Sequence, residues 1–395
     1  MSDNIPPRQV LTRDVWAQMA ANPDPPLVAL WADTRVVYAL LRQDDRVLLV
    51  STTVEDDGYP ALSPMRPFAA CFERVVRDLW GHAAIGGTDQ RARLDHGRWA
   101  QSAPMAVRPG PPASAEPPEF AMPEELDQIP LGPVRGGIEP AAHLRLGVRG
   151  QAVERLELRL GYAHKGVLAL MRGKSPRAAA RFAARLAGET TVAHSLAFAR
   201  ATEAALACQV PPRAEALRQV MAQVEQIVWR LDLASAMAEA DGRPSSLTAR
   251  GAEALRGAAN VAFGHRLMMD CVIPGGVATD IAPGGAEAIE RALHQLVGPE
   301  IDVRTLRDTL RTLPDGSIAV PLPVSSGEGL GHAVGPTGDV WHWLCLDHGQ
   351  IASVFMCDPG WAQWARLQTT MAGDLLDHLP HTLASLGLSS SGVDL

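Results

Sequence analysis

GPVRGGIEPAAHLRL at 132–146, followed after a short turn by ERLELRLGYAHKGVLALM at 154–171, is the stretch on which the fold turns. Apolar and polar residues alternate through 143–149 and 153–160, the period of two expected of paired strands. The pattern then changes to long helical stretches at 176–186, 192–207, 212–240 and 246–260. The third of these opens on a Pro-Pro pair, which suits a helix's first turn because proline lacks only an N–H that would be unpaired there anyway. Strand-like segments return at 339–346 and 350–356, with a further helix from about Trp361. Two strands, a helical block and a closing strand pair give an α+β fold: a helical core with a small sheet at its edge.

Outward from that core the composition shifts. Residues 102–130 are rich in Pro, Ala and acids, with PGPPASAEPPEF at 109–120, and read as a linker or as a strap on a surface. Before it, strand-like runs at 36–41 and 46–52 precede an amphipathic helix at 69–80. There Phe72, Val75, Val76 and Leu79 recur at helical spacing, with Glu73, Arg74 and Arg77 off the stripe. The expected organisation is a small α/β module at 1–101, the linker at 102–130 and a larger domain at 131–395. Within the latter, the interval between Val277 and Gly327 holds little beyond a helix at 285–296 and a turn at Pro314-Asp315-Gly316.

Composition narrows the function. With 47% hydrophobic and 20% charged residues, the 395-residue chain can bury a core. A net charge of -8 gives no electrostatic footprint for nucleic acid, and the basic residues, all arginine except Lys165 and Lys174, read as dispersed. No apolar run approaches the roughly 18 residues of a membrane span. The first ten residues lack the apolar core of a signal peptide, so cytoplasm is the expected compartment. Cys71, Cys208, Cys271, Cys345 and Cys357 are scattered and never spaced C-x-x-C, which is no zinc or disulfide framework. Phosphate-binding loops, dinucleotide fingerprints, zinc helices and nucleophile elbows are missing from the sequence.

The segments are specific enough to mark a family. The 132–146 and 154–171 stretches resemble the start of the large subunit of membrane-bound nickel-iron hydrogenases. They are also similar to the hydrogenase-like subunit of complex I, the NADH-quinone oxidoreductase. RLAGETTVAHSLAFARATEAA at 185–205 is similar to that family's next helix, and AFGHRLMMDCVIPGGV at 262–277 to its following segment. The tail, GEGLGHAVGPTGDVWHW, DPGWAQW and SSSGVDL, resembles the same subunits' C-terminal end. The subgroup resembled most is hydrogenase-four component G and the formate hydrogenlyase large subunit. FERVVRDLWGHAAIGGTDQRARLDHGRW at 72–99 is similar to the small α/β subunit that complex I pairs with its hydrogenase-like one. The N-terminal module therefore resembles a truncated form of that small subunit.

The resemblance also implies where the site should be. Nickel-iron ligation needs two C-x-x-C pairs, and these fall on Ala187 with Thr190 and on Ser389 with Gly392. None of these is a thiolate, so no metal is expected on this chain. Glu189, His194 and Asp394 surround the former metal cavity by motif position, either as proton-relaying groups or as polar filler. The quinone-contacting positions of the complex I relatives fall on Arg135, His143 and Val192, and Val192 can neither donate nor release a proton. His143 and Glu139 are the candidate catalytic groups, each with a structural alternative, and Arg266 is expected in an ion pair.

The implied function is a metal-free large-subunit-like member of a complex I-type or hydrogenase-four-type oxidoreductase, in electron or proton transfer of the NADH/quinone kind. Its alternative is an inactive adaptor docking an iron-sulfur subunit onto a membrane arm. The implied partners are an iron-sulfur small subunit, which holds the cluster, and membrane-arm subunits. Quinone is a possible ligand, NAD would bind elsewhere, and the chain would sit peripherally on the inner face of the cell membrane.

Overall fold

The computed structural model describes residues 7–115, 120–134, 141–296 and 301–395. By contacts the chain divides into two compact units. The first comprises 1–149, 154–164 and Asp394; the second comprises 150–153, 165–393 and Leu395. The strand at 127–131, at the end of the Pro-rich stretch, pairs with 143–149, and both belong to the first unit.

In the first unit, β1 (Gln9–Val10) leads into α1 (Arg13–Ala20), a short helix that the sequence pattern does not announce. β2 (Leu27–Ala32), β3 (Val36–Gln43) and β4 (Arg46–Thr53) form an antiparallel meander, with β1 parallel to β4 at the edge. β5 (Gly58–Pro60) and, beyond α2 (Ala69–Trp80), β6 (Ala83–Ile85) make a small parallel pair. α2 has the expected bounds and buries Phe72, Val75, Val76 and Leu79. Glu73 is buried too, because its Oε1 accepts from the Leu62 and Ser63 amides at 2.6 and 3.0 Å. Met105 is buried and donates its amide to Leu79 O, so the Pro-rich segment packs as a strap. β7 (Asp127–Leu131), β8 (His143–Arg149) and β9 (Ala152–Arg159) form a three-stranded sheet.

The second unit begins with α3 (Val167–Met171) and α4 (Pro176–Ala183), the latter capped by Ser175 with proline at its first position. α5 (Thr191–Ala205) is nearly all buried. Against it pack α6 (Pro212–Ala240) and the hairpin β10 (Val272–Ile273) and β11 (Gly276–Val277), while α7 (Ser246–Phe263) lies on α6 and α8 (Gly285–His294) on α7. α9 (Arg304–Arg311) corrects the expectation of a single helix between Val277 and Gly327. Its Leu306 and Leu310 join the core, but on an Arg- and Thr-rich helix they make too thin a stripe to stand out. β12 (Gly327–Gly335), β13 (Gly338–Asp347) and β14 (Gln350–Cys357) form an antiparallel sheet, followed by α10 (Gly360–Thr370) and α11 (Leu379–Leu386).

A small-residue seam sets the position of α5. β12 reads GEGLGHAVG, and Gly327, Gly329 and Gly331 lie on the backbone carbonyls of Ala205, Ala201 and Ala197. Two residues of strand advance about 6.8 Å and four of helix about 6 Å, so the two series stay in step for three contacts. A Cβ at Gly329 would come 2.6 Å from the Ala205 nitrogen and overlap the Ala201 carbonyl. On its other side α5 is tied to α6 through Arg218, which is 1% exposed. Its guanidinium meets Glu203 at 2.5 Å and donates to the Ile273 and Gly276 carbonyls, so the buried charge is fully partnered.

Candidate functional site

The N-terminal turn of α5 is where the polar groups of the second unit collect. Its first amides have no partners within the helix. Glu225 of α6 supplies them: Oε1 accepts from Val192 N at 2.6 Å and Oε2 from Ala193 N at 3.0 Å. Burial, the largest influence, pushes this carboxyl up to about 8; the two amides act against the rise and nearby Glu189 adds to it.

One residue further on, His194 is fully buried. Its Nδ1 lies 2.9 Å from His342 Nε2 on β13, and its Nε2 lies 2.9 Å from Asp358 Oδ2 just after β14. Desolvation, with His194 adding to it, drives the His342 imidazole well below its ordinary value, so that ring is neutral. One hydrogen-bond order satisfies the chain. His342 Nε2–H donates to His194 Nδ1, and His194 Nε2–H donates to Asp358. His342 Nδ1 is then left as a bare, buried acceptor without a partner, a cheaper orphan than an N–H. Asp358 is anchored in turn by the Gly360 amide, 2.6 Å from Oδ1.

The four positions implied for metal thiolates stand around this cluster. Ala187 is buried and its carbonyl accepts from Thr191 Oγ1. Thr190 is 2% exposed and its hydroxyl has no partner. Ser389 accepts Trp364 Nε1–H on its carbonyl at 2.9 Å. Gly392 touches the Asp358 side chain: a Cβ there would lie within 2.5 Å of the aspartate's Cβ and carboxylate. Lys165 links the two segments, its ammonium donating to the Leu186 and Ser391 carbonyls. Among the described residues, no three His, Cys, Asp or Glu side chains are grouped so as to hold a metal ion. Cys357 pairs across the sheet with Trp341, one residue out of phase with His342. Strand alternation therefore points its thiol to the opposite face.

Beside this turn lies a cleft of about 400 Å³, lined by Glu189, Glu225, Trp229, Asp232, Arg256 and Arg266 among others. Burial, opposed by Arg256, raises the Asp232 carboxyl. Arg266 pairs with Glu253 at 2.6 Å, as its motif position suggested.

The buried acid beside His194 is Asp358, while Glu189 is exposed at the cleft. In the first unit, Asp394 Oδ1 accepts from Gly161 N at 2.8 Å. Within the second unit the structure brings together Ala187, Thr190, Val192, His194, Ser389 and Gly392. His143 also lies in the first unit, buried edge-on to Phe120 at 4.8 Å with Nε2 unpartnered. Burial, then Arg145 and Arg159, lowers its pKa, so its imidazole is neutral. Arg135 and Glu139 lie outside the described residues.

Glu225 went unnoticed in the sequence, although a signal was there. It stands four residues after Met221 and three before Val228, on the apolar stripe of α6, where a lone carboxylate is out of place.

The Glu225 geometry fixes a pH dependence. Its folded-state pKa, about 8, lies above its ordinary 4.5, so the folded chain keeps a proton that the unfolded chain loses. The contribution of Glu225 to stability is therefore largest below pH 4.5 and declines as pH rises toward 8, by about 2–3 kcal/mol over two pH units in that window. Glu225→Gln, which cannot titrate, is expected to remove this slope in denaturation curves at pH 5.5, 6.5 and 7.5. An unchanged slope would show that Glu225 does not carry it.

Residues 165–229 match the family model for nickel-dependent hydrogenase. The chain is 30% identical over 210 residues to formate hydrogenlyase subunit 5 of Escherichia coli (strain K12), covering 49% of this chain and 37% of that one. It is 28% identical over 193 residues to hydrogenase-4 component G of the same organism, with coverage of 46% and 35%. To an NADH-quinone oxidoreductase subunit of Anaeromyxobacter sp. (strain K) it is 26% identical over 235 residues, with coverage of 58% and 54%. It thus spans about a third to a half of the length of these relatives. Its fold is similar to a chain of the membrane-bound sulfane sulfur reductase, an archaeal respiratory membrane complex. That match has a TM-score of 0.60 and 16% identity, and covers 69% of this chain and 100% of that one. The α+β fold agrees with that structural neighbour, and the segment 165–229 is similar to the nickel-dependent hydrogenase large-subunit domain.

Proposed function

We propose that the chain is a large-subunit-like component of a membrane-associated oxidoreductase complex of the hydrogenase-four or complex I type. In this reading it carries no nickel-iron centre. It takes up and releases protons at the base of the α5 cleft, while an iron-sulfur partner carries the electrons. The observation behind this reading is the contact at Gly392, where the Asp358 carboxylate, tied to His194, stands in the space of any side chain at that position. Proton-bearing groups replace soft donors, and a methyl group, two hydroxyls and a glycine are no ligand set for nickel. Glu225 supports the proton role: it lines the cleft and its pKa is near the operating pH of a general acid or base. The relatives' names, hydrogenase and NADH-quinone oxidoreductase subunits, support the setting. By resemblance, quinone is the acceptor class, NAD is oxidised on another subunit, and the chain sits at the inner membrane face through membrane-arm partners.

A second reading, a docking adaptor without turnover of its own, is favoured by the Lys165 brace. That brace gives the two motif segments a fixed shape without any metal. Elemental analysis of the purified complex, followed by turnover of Glu225→Gln and His143→Ala variants, separates the two. Loss of rate of about tenfold or more in Glu225→Gln, at unchanged assembly, supports proton handling. Unchanged turnover in both variants leaves the adaptor. Nickel bound to this chain overturns both readings.

A further inference from the structure

From Leu158 to Gly188 the chain contains no Asp or Glu but seven basic residues, including its only two lysines, against an overall net charge of -8. Basic residues that look dispersed along the whole sequence are thus concentrated at one place. Arg177, Arg181 and Arg185 follow at i, i+4 and i+8 along α4 and the turn after it, and all three are exposed, as is Arg172 upstream. Spaced four residues apart, they form one row about 12 Å long on one side of the helix. The opposite side, Pro176, Ala179, Ala180 and Ala183, is buried, so the row is held outward.

Carboxylates do not neutralise most of this row. Arg185 is paired with Asp270. Arg181 and Lys174 instead flank the half-buried Phe182 ring, at 5.2 and 5.9 Å from its centroid, and Arg177 donates only to the Val320 carbonyl. Among the described residues, no acidic side chain pairs with Lys174, Arg177 or Arg181. Leu170, 49% exposed, adds an apolar side chain within the same acid-free stretch.

We propose that the α4 face binds an anionic lipid surface directly, seating the second unit against phospholipid headgroups. The proposal goes beyond the membrane-associated reading, in which partners alone provide the attachment. The chemistry favours lipid over an acidic protein. None of the five cations lines the cleft described above, and a flat row of charge beside an aromatic ring and an exposed leucine reads charge density rather than the shape of one partner.

The test is co-sedimentation of the full chain with vesicles of phosphatidylcholine alone, or with about a third phosphatidylglycerol, at low and high salt. Binding is expected only to the anionic vesicles and should fall steeply with salt. Arg177→Glu/Arg181→Glu should weaken it about a hundredfold, since each basic group near an anionic surface contributes several-fold. Arg304→Glu, at an exposed position of α9, should leave it within about twofold, and thermal melts report whether each variant folds. Equal binding to neutral vesicles, no binding, or an unaffected double variant overturns the proposal, as does capture by an acidic partner protein in place of vesicles. Nickel on the purified chain would refute the functional reading without touching vesicle binding. Indifference to vesicles in a metal-free, assembled complex would refute this proposal alone.

Discussion

Gly331→Val is expected to destabilise the second unit by about 3 kcal/mol or more, an overpacking cost at the upper end because the obstacle is helix backbone rather than a movable side chain. A Cβ at 331 would overlap the Ala197 carbonyl and come 2.9 Å from the Arg200 carbonyl carbon, and valine adds two methyls to that collision. For a unit of this size the loss amounts to roughly 6–12 °C in Tm. The same seam predicts a graded series, with Gly331→Ala costing less than Gly331→Val, and Gly329 behaving like Gly331. Gly257 supplies the opposite sign. It lies within α7 with open space where its Cβ would go, so Gly257→Ala should stabilise by about 0.5–1 kcal/mol. A Gly331→Val chain that melts with the parent would mean that β12 does not rest on α5, and the placement of His342 beside His194 would fall with it.

That seam also marks where sequence reading stopped. The helices with continuous apolar stripes were legible almost to the residue: 69–80 and 212–240 match α2 and α6, and 143–149 matches β8. β12 was not, because a strand of alternating glycines offers no apolar period. Its information lies in what it omits, and only the partner helix gives the omission meaning. The candidate site divides in the same way. Motif order placed Ala187, Thr190, His194, Ser389 and Gly392 together, and the structure assembles them at one end of α5. His342 and Asp358 come from β13 and the segment after β14, respectively, more than a hundred residues along the chain from His194. No spacing rule links them, and their pairing became visible only when β13 was laid across α5. Lys165 shows the same limit, since a lysine's carbonyl partners depend on loops whose path the sequence does not disclose.

Restoring a thiol at the crowded position gives the second large effect. Gly392→Cys is expected to cost about 3 kcal/mol, because its Cβ must displace a buried carboxylate that is itself bonded to His194 and the Gly360 amide. Backbone strain does not enter, since Gly392 has no left-handed conformation to lose. Asp358→Ala alone should cost about 1–3 kcal/mol, the penalty of leaving the buried His194 N–H without an acceptor. Combining the two removes the collision, so the double variant should be more stable than the sum of the single losses predicts, by at least about 1 kcal/mol. Additive losses would place Asp358 away from Gly392 and remove the support for proton-bearing groups in that space. The same cycle bears on metal chemistry. With cysteines at 187, 190, 389 and 392, nickel uptake should require shortening Asp358 as well, because four sulfur donors cannot converge while a carboxylate fills one corner. Nickel bound by the four-cysteine chain with Asp358 intact would show that the aspartate swings aside, and that the fold kept its metal pocket when it lost the ligands.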